Sequence, residues 1–183
     1  IAWSASSVSV DGDVNNVVSA SGADVVVNDT SSKTLILVLS GSTSDGSLLV
    51  YRSKKYTMLM NGVSITNNDG PAINNQCKKS LYIECVNGTA NTLTDGTSYA
   101  SKDYDQKGAL CSEGQIFFSG AGSLSVNGNC MNAIASDDYI TIDDDITLNA
   151  TTSATGTNGI KAKDGMYING GVINVSVASD GGR

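Results

Sequence analysis

The sequence of 183 residues has no histidine, one proline, one tryptophan and two phenylalanines. The absence of histidine excludes Ser–His and Cys–His nucleophilic machinery, histidine-ligated zinc and an imidazole base. Lys and Arg total 11 against 18 Asp and Glu, for a net charge of -7. Because phosphate contacts need clustered basic side chains, a general nucleic-acid binder is not expected. No apolar run reaches the roughly 18 residues of a membrane-spanning helix, so no transmembrane segment is predicted.

Glu, which favours helix surfaces, is also scarce, since it occurs twice whereas Asp occurs 16 times. Short polar residues dominate, with 25 Ser, 20 Gly, 17 Asn and 15 Thr. Asp, Asn, Gly and Ser favour turns and disfavour helix interiors. Val, Ile and Leu occur in runs too short for helices. The composition therefore predicts an all-β chain with many turns, of the size of one domain.

The four cysteines, at positions 77, 85, 111 and 130, form an even set without a CxxC pair. A thiolate metal site is therefore not expected. One or two disulfides in an exported protein would fit this count, and so would four buried thiols. No signal segment precedes Ile1, so we expect a mature chain whose signal peptide has been removed. The expected location is extracellular or on the cell surface.

Pairs of a small or aliphatic residue and an aliphatic residue recur before short alternating apolar stretches. The second members of these pairs are Leu49, Ile73, Leu110, Ile134 and Ile160, at spacings of 24, 37, 24 and 26. The spacing of 37 is a normal repeat with an insertion at about residues 95–107. A second alternating stretch closes most units, at residues 63–65, 124–126, 146–148 and 173–175.

A period of 23 to 26 residues with two or three strands per unit is typical of a solenoid. A β-sandwich would show turns without register between distant segments, and a leucine-rich repeat would need longer leucine stripes. The pattern favours a single parallel β-helix domain over residues 1–183. Residues 1–34 are less regular and are expected to form first rungs or a cap, whereas 35–183 form regular rungs.

Several motifs occur in a defined order: LSGSTSDG (39–46), MNGVSITNNDGPAI (60–73), NTLTDG (91–96), NGIKAKD (158–164) and INGG (168–171). Over residues 35–183 the sequence resembles the bacterial carbohydrate-binding β-helix family of exported, often lipid-anchored proteins. The family is similar in fold to calcium-dependent pectate lyases. The resemblance implies a right-handed β-helix, a carbohydrate ligand and bound Ca²⁺. The family pattern continues past Arg183, so the chain is expected to be truncated relative to it.

Aspartates gather at the predicted turns. Stacked turns bring carboxylates and carbonyls of neighbouring rungs about 4.8 Å apart, and Ca²⁺ takes roughly six to eight oxygen ligands. Alternatively, each Asp caps its own turn by bonding the local backbone. With the calcium that the resemblance implies, the candidate metal ligands are Asp69, Asp137, Asp138, Asp164, Asp180, Asp95, Asp103 and Asp105.

The middle residue of each alternating stretch is expected to point away from the core. These residues are Leu59, Tyr82, Phe117, Thr141 and Tyr167, and their spacing follows the repeat. Exposed aromatic rows are suited to sugar rings, because C–H groups pack on π surfaces. We therefore predict that Tyr82, Phe117 and Tyr167 bind carbohydrate, although strand preference alone also favours aromatic residues.

Lysines form a second candidate feature. Lys54-Lys55 and Lys78-Lys79 occupy matching corners, and Lys161 and Lys163 flank Ala162. An ammonium group beside Ca²⁺ suits a carboxylated sugar, so Lys161 and Lys163 are predicted to bind carbohydrate. In a lyase one of them would serve as the base. The alternative is that these lysines are solvated cations on an acidic surface.

Cys77 and Cys111 precede the matching strands at Leu81 and Ile116 by four and five residues. They are expected near one corner of neighbouring rungs, within reach of a disulfide, and are the disulfide candidates. Free buried thiols are the alternative.

The sequence thus favours a non-catalytic, calcium-bearing module that binds an acidic or plant-type polysaccharide on an exported or cell-surface protein. Two alternatives stay open. A β-helix has unpaired strand edges at its ends, so the chain could be a subunit of an end-to-end or other homo-oligomeric assembly. A calcium-dependent polysaccharide lyase is the third interpretation.

Overall fold

The computed structural model describes residues 1–13, 15–143 and 145–178, and over these ranges it is all-β, without a helix. No helix long and apolar enough to cross a membrane is found among these residues. The strands are β1 (Ala2–Ala5), β2 (Ser7–Ser9), β3 (Val18–Ser21), β4 (Asp24–Asp29), β5 (Ile36–Thr43), β6 (Ser47–Arg52), β7 (Tyr56–Asn67), β8 (Ile73–Asn75), β9 (Leu81–Cys85), β10 (Ala90–Asp95), β11 (Gly108–Ser112), β12 (Ile116–Gly120), β13 (Ser123–Gly128), β14 (Asn132–Ser136), β15 (Tyr139–Ile142), β16 (Thr147–Thr152), β17 (Ile160–Ala162), β18 (Gly165–Ile168) and β19 (Val172–Val177).

The strands form three faces of a parallel β-solenoid with about six turns, as the repeat predicts. The first face contains β4, β6, β8, β11, β14 and β17. The second contains the first half of β5, the first half of β7, and β9, β12, β15 and β18. The third contains the second halves of β5 and β7, and β10, β13, β16 and β19. One strand of each face makes one rung.

β5 and β7 are long because they continue around the corner between the second and third faces. The pairing shifts register there, so that Leu39 faces Met60 whereas Gly41 faces Val63. Gly41 has a φ of +80°, and a Cβ at this position would lie 2.1 Å from the carbonyl oxygen of Trp3. Glycine is required here because a side chain would collide with the backbone of β1.

The core consists of aliphatic side chains that point inward from all three faces. On the first face, Leu48, Ile73, Leu110 and Ile134 lie opposite one another on successive rungs and are fully buried. Period-2 alternation puts every second residue of a strand into this interior. Burial of apolar surface at about 25 cal/mol per Å² is the main stabilising term.

The N-terminal segment covers one end of the solenoid. β1 pairs in parallel with β5, whereas β2 is antiparallel to β1 and β3 is antiparallel to β4. The indole of Trp3 is buried and donates a hydrogen bond to the carbonyl of Ala23, 2.9 Å away. β4, within the segment expected to be irregular, already pairs in parallel with β6. The regular rungs therefore begin near residue 24.

The segment between β10 and β11, residues 96–107, folds over the first face. The side-chain amide of Asn74 donates to the carbonyl of Asp105 at 2.9 Å, and that of Asn132 donates to the carbonyl of Lys107 at 2.7 Å. All residues of β8, β11 and β14 are consequently buried. On these rungs the first face is covered, and the second and third faces remain available to ligands.

Candidate functional site

Two of the three predicted aromatic residues form a stacked pair on the second face. Tyr82 lies opposite Phe117 on the next rung, with ring centroids 4.9 Å apart and ring planes 17° apart. Both side chains are half-buried. On the other side Tyr82 faces Thr57, whereas Leu59, expected in this row, faces Glu84. Leu59 is the second outward residue of this part of β7, and Thr57, the first, takes the place in the row.

Tyr167 belongs to the same row but does not continue the stack. Phe117 faces Thr141, which in turn faces Tyr167. Tyr167 is 56% exposed and contacts Tyr139, with centroids 5.6 Å apart and planes tilted by 34°. Because the threonine side chain is too short to stack, the side of the Phe117 ring that faces away from Tyr82 is open.

A cleft of about 640 Å³ lies beside this pair, and we call it the polar cleft. Asn169 donates a hydrogen bond to Asp143 across it, with the amide nitrogen 2.6 Å from the carboxylate oxygen. The cleft therefore combines an aromatic wall with hydrogen-bonding groups, a combination typical of small-molecule sites. Its lining residues are Tyr82, Phe117, Ser119, Asp143, Asp145, Asn169, Gly170 and Gly171.

A second cleft, of about 420 Å³, lies near the corner between the first and second faces, and we call it the lysine cleft. Its lining residues are Lys54, Lys55, Lys78, Lys79, Ser80, Gln115 and Asp138. The Lys55 ammonium lies 6.0 Å from the centroid of the Tyr82 ring. The lysine cleft therefore adjoins the aromatic pair, and Lys55 links the two.

Two of the predicted metal ligands come together, but around a lysine. Oxygens of Asp105, Asp137 and Glu113 lie within 4.8 Å of one another, the one such group of three among the described residues. The Lys107 ammonium lies 2.9 Å from Asp105 and 3.2 Å from Glu113, and it also pairs with Asp137. Burial lowers the pKa of Lys107, but its hydrogen bonds to these carboxylates outweigh burial and raise the pKa overall. An ammonium of the chain itself thus lies among these carboxylates and offsets one of their three negative charges.

The other predicted ligands are dispersed. Asp138 and Asp164 occupy the same corner of successive rungs, and the amide of Asp164 donates to the carbonyl of Asp138 at 3.4 Å. Asp69 is exposed in a turn, where its amide donates to the side chain of Asn67. Asp103 is exposed in the inserted segment. Asp180 lies outside the described residues.

Asp95 is buried, and its carboxylate is occupied by hydrogen bonds within the protein. It accepts hydrogen bonds from the Tyr99 hydroxyl, 2.5 Å away, and from the backbone amide of Asn129. Burial raises the pKa of this carboxyl, although the hydrogen bonds from Asn129 and Tyr99 act in the opposite direction. The insertion therefore does not gather Asp95, Asp103 and Asp105 into one cluster.

Lys161 and Lys163 lie at the last described rung of the first face. Lys161 faces Ala135, and both lysine side chains are exposed. Neither lines the lysine cleft or the polar cleft. The pairs at residues 54–55 and 78–79 form the basic surface beside Tyr82 instead. The sequence motif that contains Lys161 and Lys163 does not indicate which corner of the solenoid faces the aromatic row.

The disulfide between Cys77 and Cys111 is not formed, because both are free thiols. Cys111 faces Asn74 and Ala135 within the first face, whereas Cys77 lies past the end of β8. The Cys77 sulfur is 3.4 Å from the carbonyl of Lys54. Cys85 and Cys130 are free as well. Burial raises the pKa of Cys85 and of Cys111 to about 12, so both thiols are protonated at neutral pH.

Lys107 and Glu113 are the site residues that sequence reasoning missed. Glu113 lies beside Asp137 because β11 pairs with β14 at Ser112 and Ser136, a register that the 24-residue spacing of Leu110 and Ile134 also implies. The fold of the inserted segment then brings Lys107 to both carboxylates. A lone Lys before a strand carries no signal of such a contact in the sequence.

Known proteins share both the fold and the sequence pattern of this chain. A similar fold occurs in the solved structure of a polysaccharide lyase-like protein from C. thermocellum, a gadolinium derivative, with a TM-score of 0.68 and 20% identity. The match covers 97% of this chain and 96% of the other. At this identity the similarity shows a common fold.

A carbohydrate-binding domain-containing protein of Acetivibrio thermocellus is 33% identical over 108 residues, which are 56% of this chain and 38% of the relative. The match thus spans well under half of the relative's length. The family model described as "Carbohydrate-binding domain-containing protein" matches residues 21–183. The chain therefore belongs to the carbohydrate-binding domain-containing family.

Proposed function

We propose that this protein is a non-catalytic module that binds an acidic or plant-type polysaccharide on an exported or cell-surface protein. One observation carries the proposal, namely the stacked pair of Tyr82 and Phe117 on an uncovered face between two clefts. The family membership and the lyase-like fold support a carbohydrate-binding role.

The chemistry of the polar cleft suits a sugar ring. The open side of Phe117 offers a π surface for the C–H groups of the ring. Asp143, Asp145 and Asn169 surround this surface with acceptors and donors for hydroxyl groups. Because Thr141 interrupts the aromatic row, the space above it, beside the open side of Phe117, can accept a sugar ring.

A binding role fits this site better than a lyase role. A lyase needs a base with a lowered pKa next to both the cation and the substrate. Lys107, the lysine that contacts the carboxylate group, instead has a raised pKa and is held in three ion pairs. End-to-end stacking is less well supported, because β1, β2 and β3 cover the first turn.

Calcium is part of the proposal, and the donor chemistry of one group suits it. Asp105, Glu113 and Asp137 present hard carboxylate oxygens within 4.8 Å of one another. Lys107 lies among them, so the ion would bind there by displacing the ammonium. We therefore expect weak affinity, of the order of 10⁻⁴ to 10⁻³ M, as in extracellular calcium modules.

The test is retention on insoluble plant cell-wall polysaccharide by wild type and by the double variant Tyr82→Ala, Phe117→Ala. The variant should lose at least about tenfold in affinity, because it removes both aromatic surfaces. Tyr51→Ala is the matched control, since Tyr51 is an aromatic residue with 37% exposure on the first face. The control should bind like wild type.

Equal retention of wild type and the double variant would overturn the aromatic site. Ultraviolet absorbance of the supernatant tests catalysis in the same samples, because lyase products carry an unsaturated uronate. We expect no increase in absorbance with time. A steady increase that depends on the protein would replace the binding proposal with a lyase.

A further inference from the structure

The lysine cleft concentrates positive charge on an acidic protein. The chain has a net charge of -7 and 11 Lys and Arg residues, and four of those eleven line this one cleft. In the described residues, the ion pairs are those of Arg52 with Asp29 and of Lys107 with its three carboxylates. No carboxylate therefore pairs with any of the four cleft lysines within this part of the chain.

The arrangement brings like charges together. Tyr56 faces Leu81, so the register places Lys54 beside Lys79 on the next rung, with about 4.8 Å between the two backbones. Like charges at such positions are destabilising. Lysines that only offset a negative surface would repel one another least if they were dispersed over it, whereas these four are grouped in one cleft. A bound anion would remove the repulsion.

The backbone of the cleft is fixed by contacts that leave its interior open. The guanidinium Nε of Arg52 donates to the carbonyl of Lys54 at 3.1 Å. On the rung that follows Lys79, Gly114 lies close to the Lys79 carbonyl, and a Cβ at Gly114 would lie 2.6 Å from that oxygen. Glycine thus lets this rung pack against the lysine corner without adding a side chain. Ser80 and Gln115, joined by a hydrogen bond of 3.2 Å, are the uncharged neighbours.

The cleft also adjoins the aromatic pair, since Lys55 lies 6.0 Å from the Tyr82 ring centroid. Asp138 is the one carboxylate among the lining residues, and its oxygen accepts a hydrogen bond from the amide of Tyr139. The positive end of the cleft is therefore next to Tyr82. If one sugar of a polysaccharide rests on Tyr82 and Phe117, the neighbouring sugar of the same chain would lie beside the ammonium groups.

We propose that the lysine cleft binds the anionic group, carboxylate or sulfate, of a sugar next to the one held by Tyr82 and Phe117. The inference rests on the proposed carbohydrate-binding function and assigns its charge selectivity to Lys54, Lys55, Lys78 and Lys79. Lysine is a point charge that can reach either kind of anion. The ligand is thus an anionic polysaccharide, and the charge contact does not require calcium.

The experiment compares polygalacturonate with its fully methyl-esterified form, which keeps the chain and removes the charge. Dextran sulfate and dextran form a second pair of probes. Affinity is measured by affinity electrophoresis or calorimetry in EDTA at two salt concentrations. The variants are Lys78→Gln, Lys79→Gln in the cleft and Lys161→Gln, Lys163→Gln as a control with the same change in charge.

Wild type should bind at least one charged polymer more tightly than its neutral partner, and added salt should reduce this preference. The cleft variant should lose about threefold to tenfold in affinity for the charged polymer only. The control variant should keep the wild-type preference. Preference for polygalacturonate identifies a carboxylate ligand, and preference for dextran sulfate identifies a sulfate ligand.

Two results would overturn the inference: equal binding of charged and neutral polymers by wild type, or equal losses in the cleft and control variants. These results leave the proposed function intact if the Tyr82 and Phe117 substitutions still abolish binding. If instead the aromatic substitutions have no effect while the cleft variant loses binding, the aromatic site fails and the lysine cleft stands.

Discussion

The second and third faces share one backbone plan and differ in the side chains that point outward. On the third face these residues are short and polar, and they bond to one another: Asn174 donates to Asn149 at 2.9 Å, and Asn149 donates to Ser125 at 3.2 Å. Residues of this row on successive rungs are Ser64, Thr92, Ser125, Asn149 and Asn174. The corresponding row of the second face is Ile36, Thr57, Tyr82, Phe117, Thr141 and Tyr167.

The difference shows that strand pairing fixes where the outward side chains lie, whereas the residue types at those positions decide what the face can bind. On the third face the side-chain amides of Asn149 and Asn174 already donate to the neighbouring residue of the row, so these groups are less available to a ligand. The second face exposes aromatic rings between the lysine cleft and the polar cleft. Function in such a scaffold depends on the site that the fold carries.

The largest expected effect tests whether outward and inward side chains are separable. Phe118 is fully buried and points into the core, whereas its neighbour Phe117 is half-buried on the second face. Phe118→Ala should lower the free energy of unfolding by about 3 to 5 kcal/mol, because it leaves a cavity. Phe117→Ala should leave the melting temperature within a few degrees of wild type. Thermal denaturation measures both.

A similar loss of stability in both variants would break the comparison. The second face would then be part of the core rather than a separable surface, and loss of binding in the Phe117 variant would need a structural explanation.

The next effect concerns the covered first face, which sharpens the contrast with the two open ones. Lys107→Met should cost about 1 kcal/mol of stability, a modest value since the ammonium is 29% exposed and Asp105 is 66% exposed. With the ammonium gone, Asp105, Glu113 and Asp137 repel one another. Added Ca²⁺ should therefore raise the melting temperature of this variant more than that of wild type, through binding to the folded state.

Melting curves in EDTA, Ca²⁺ and Mg²⁺ provide the measurement and its control. If Ca²⁺ shifts neither protein, or shifts both equally, calcium does not bind among these three carboxylates.

The smallest effect concerns Asp95, the buried carboxylate at the end of a third-face strand. Its folded pKa is raised above the ordinary 3.8, chiefly by burial. The folded state therefore binds more protons than the unfolded state just above pH 3.8, so this residue makes stability fall as pH rises through that window. Asp95→Asn keeps an oxygen to accept from Asn129 and should remove this decrease.

Denaturant unfolding of wild type and the Asn variant between pH 3.5 and pH 7 measures the difference. Relative to wild type, the variant should gain stability as pH rises. A constant difference across that range would contradict the raised pKa. The pKa of Asp105 is lowered by Lys107, so its contribution has the opposite sign and is common to both proteins.

Much of the fold could be predicted from the sequence, because a parallel solenoid repeats its inward pattern once per rung. Ile73, Leu110, Ile134 and Ile160 share one row, as their spacing predicts. Leu48 precedes Ile73 in this row, however, and the neighbouring Leu49 points outward. A pair of adjacent leucines does not reveal which of the two lies inside, since corner length fixes that register.

The candidate site was less predictable for the same physical reason. The pairing of Tyr82 with Phe117 could be predicted, because each is the second residue of a short strand and the two strands match. Leu59 lies outside the aromatic row because Thr57, the first outward residue of β7, faces Tyr82. Cys77 and Cys111, the disulfide candidates, lie apart because the corner from Ile73 to Leu81 is longer than the one from Leu110 to Ile116. The contact of Lys107 with Asp137 depends on how the insertion folds, and no periodic signal encodes it.

The insertion at residues 96–107 has a consequence for how such a module diversifies. Tyr82 and Phe117 are 35 residues apart in sequence, yet they lie on adjacent rungs because the extra residues leave the solenoid at a corner. Residues can therefore be gained or lost at corners while the rows on each face stay in register. A family built in this way can change loops and ligands independently, one corner or one outward residue at a time, without redesigning its interior.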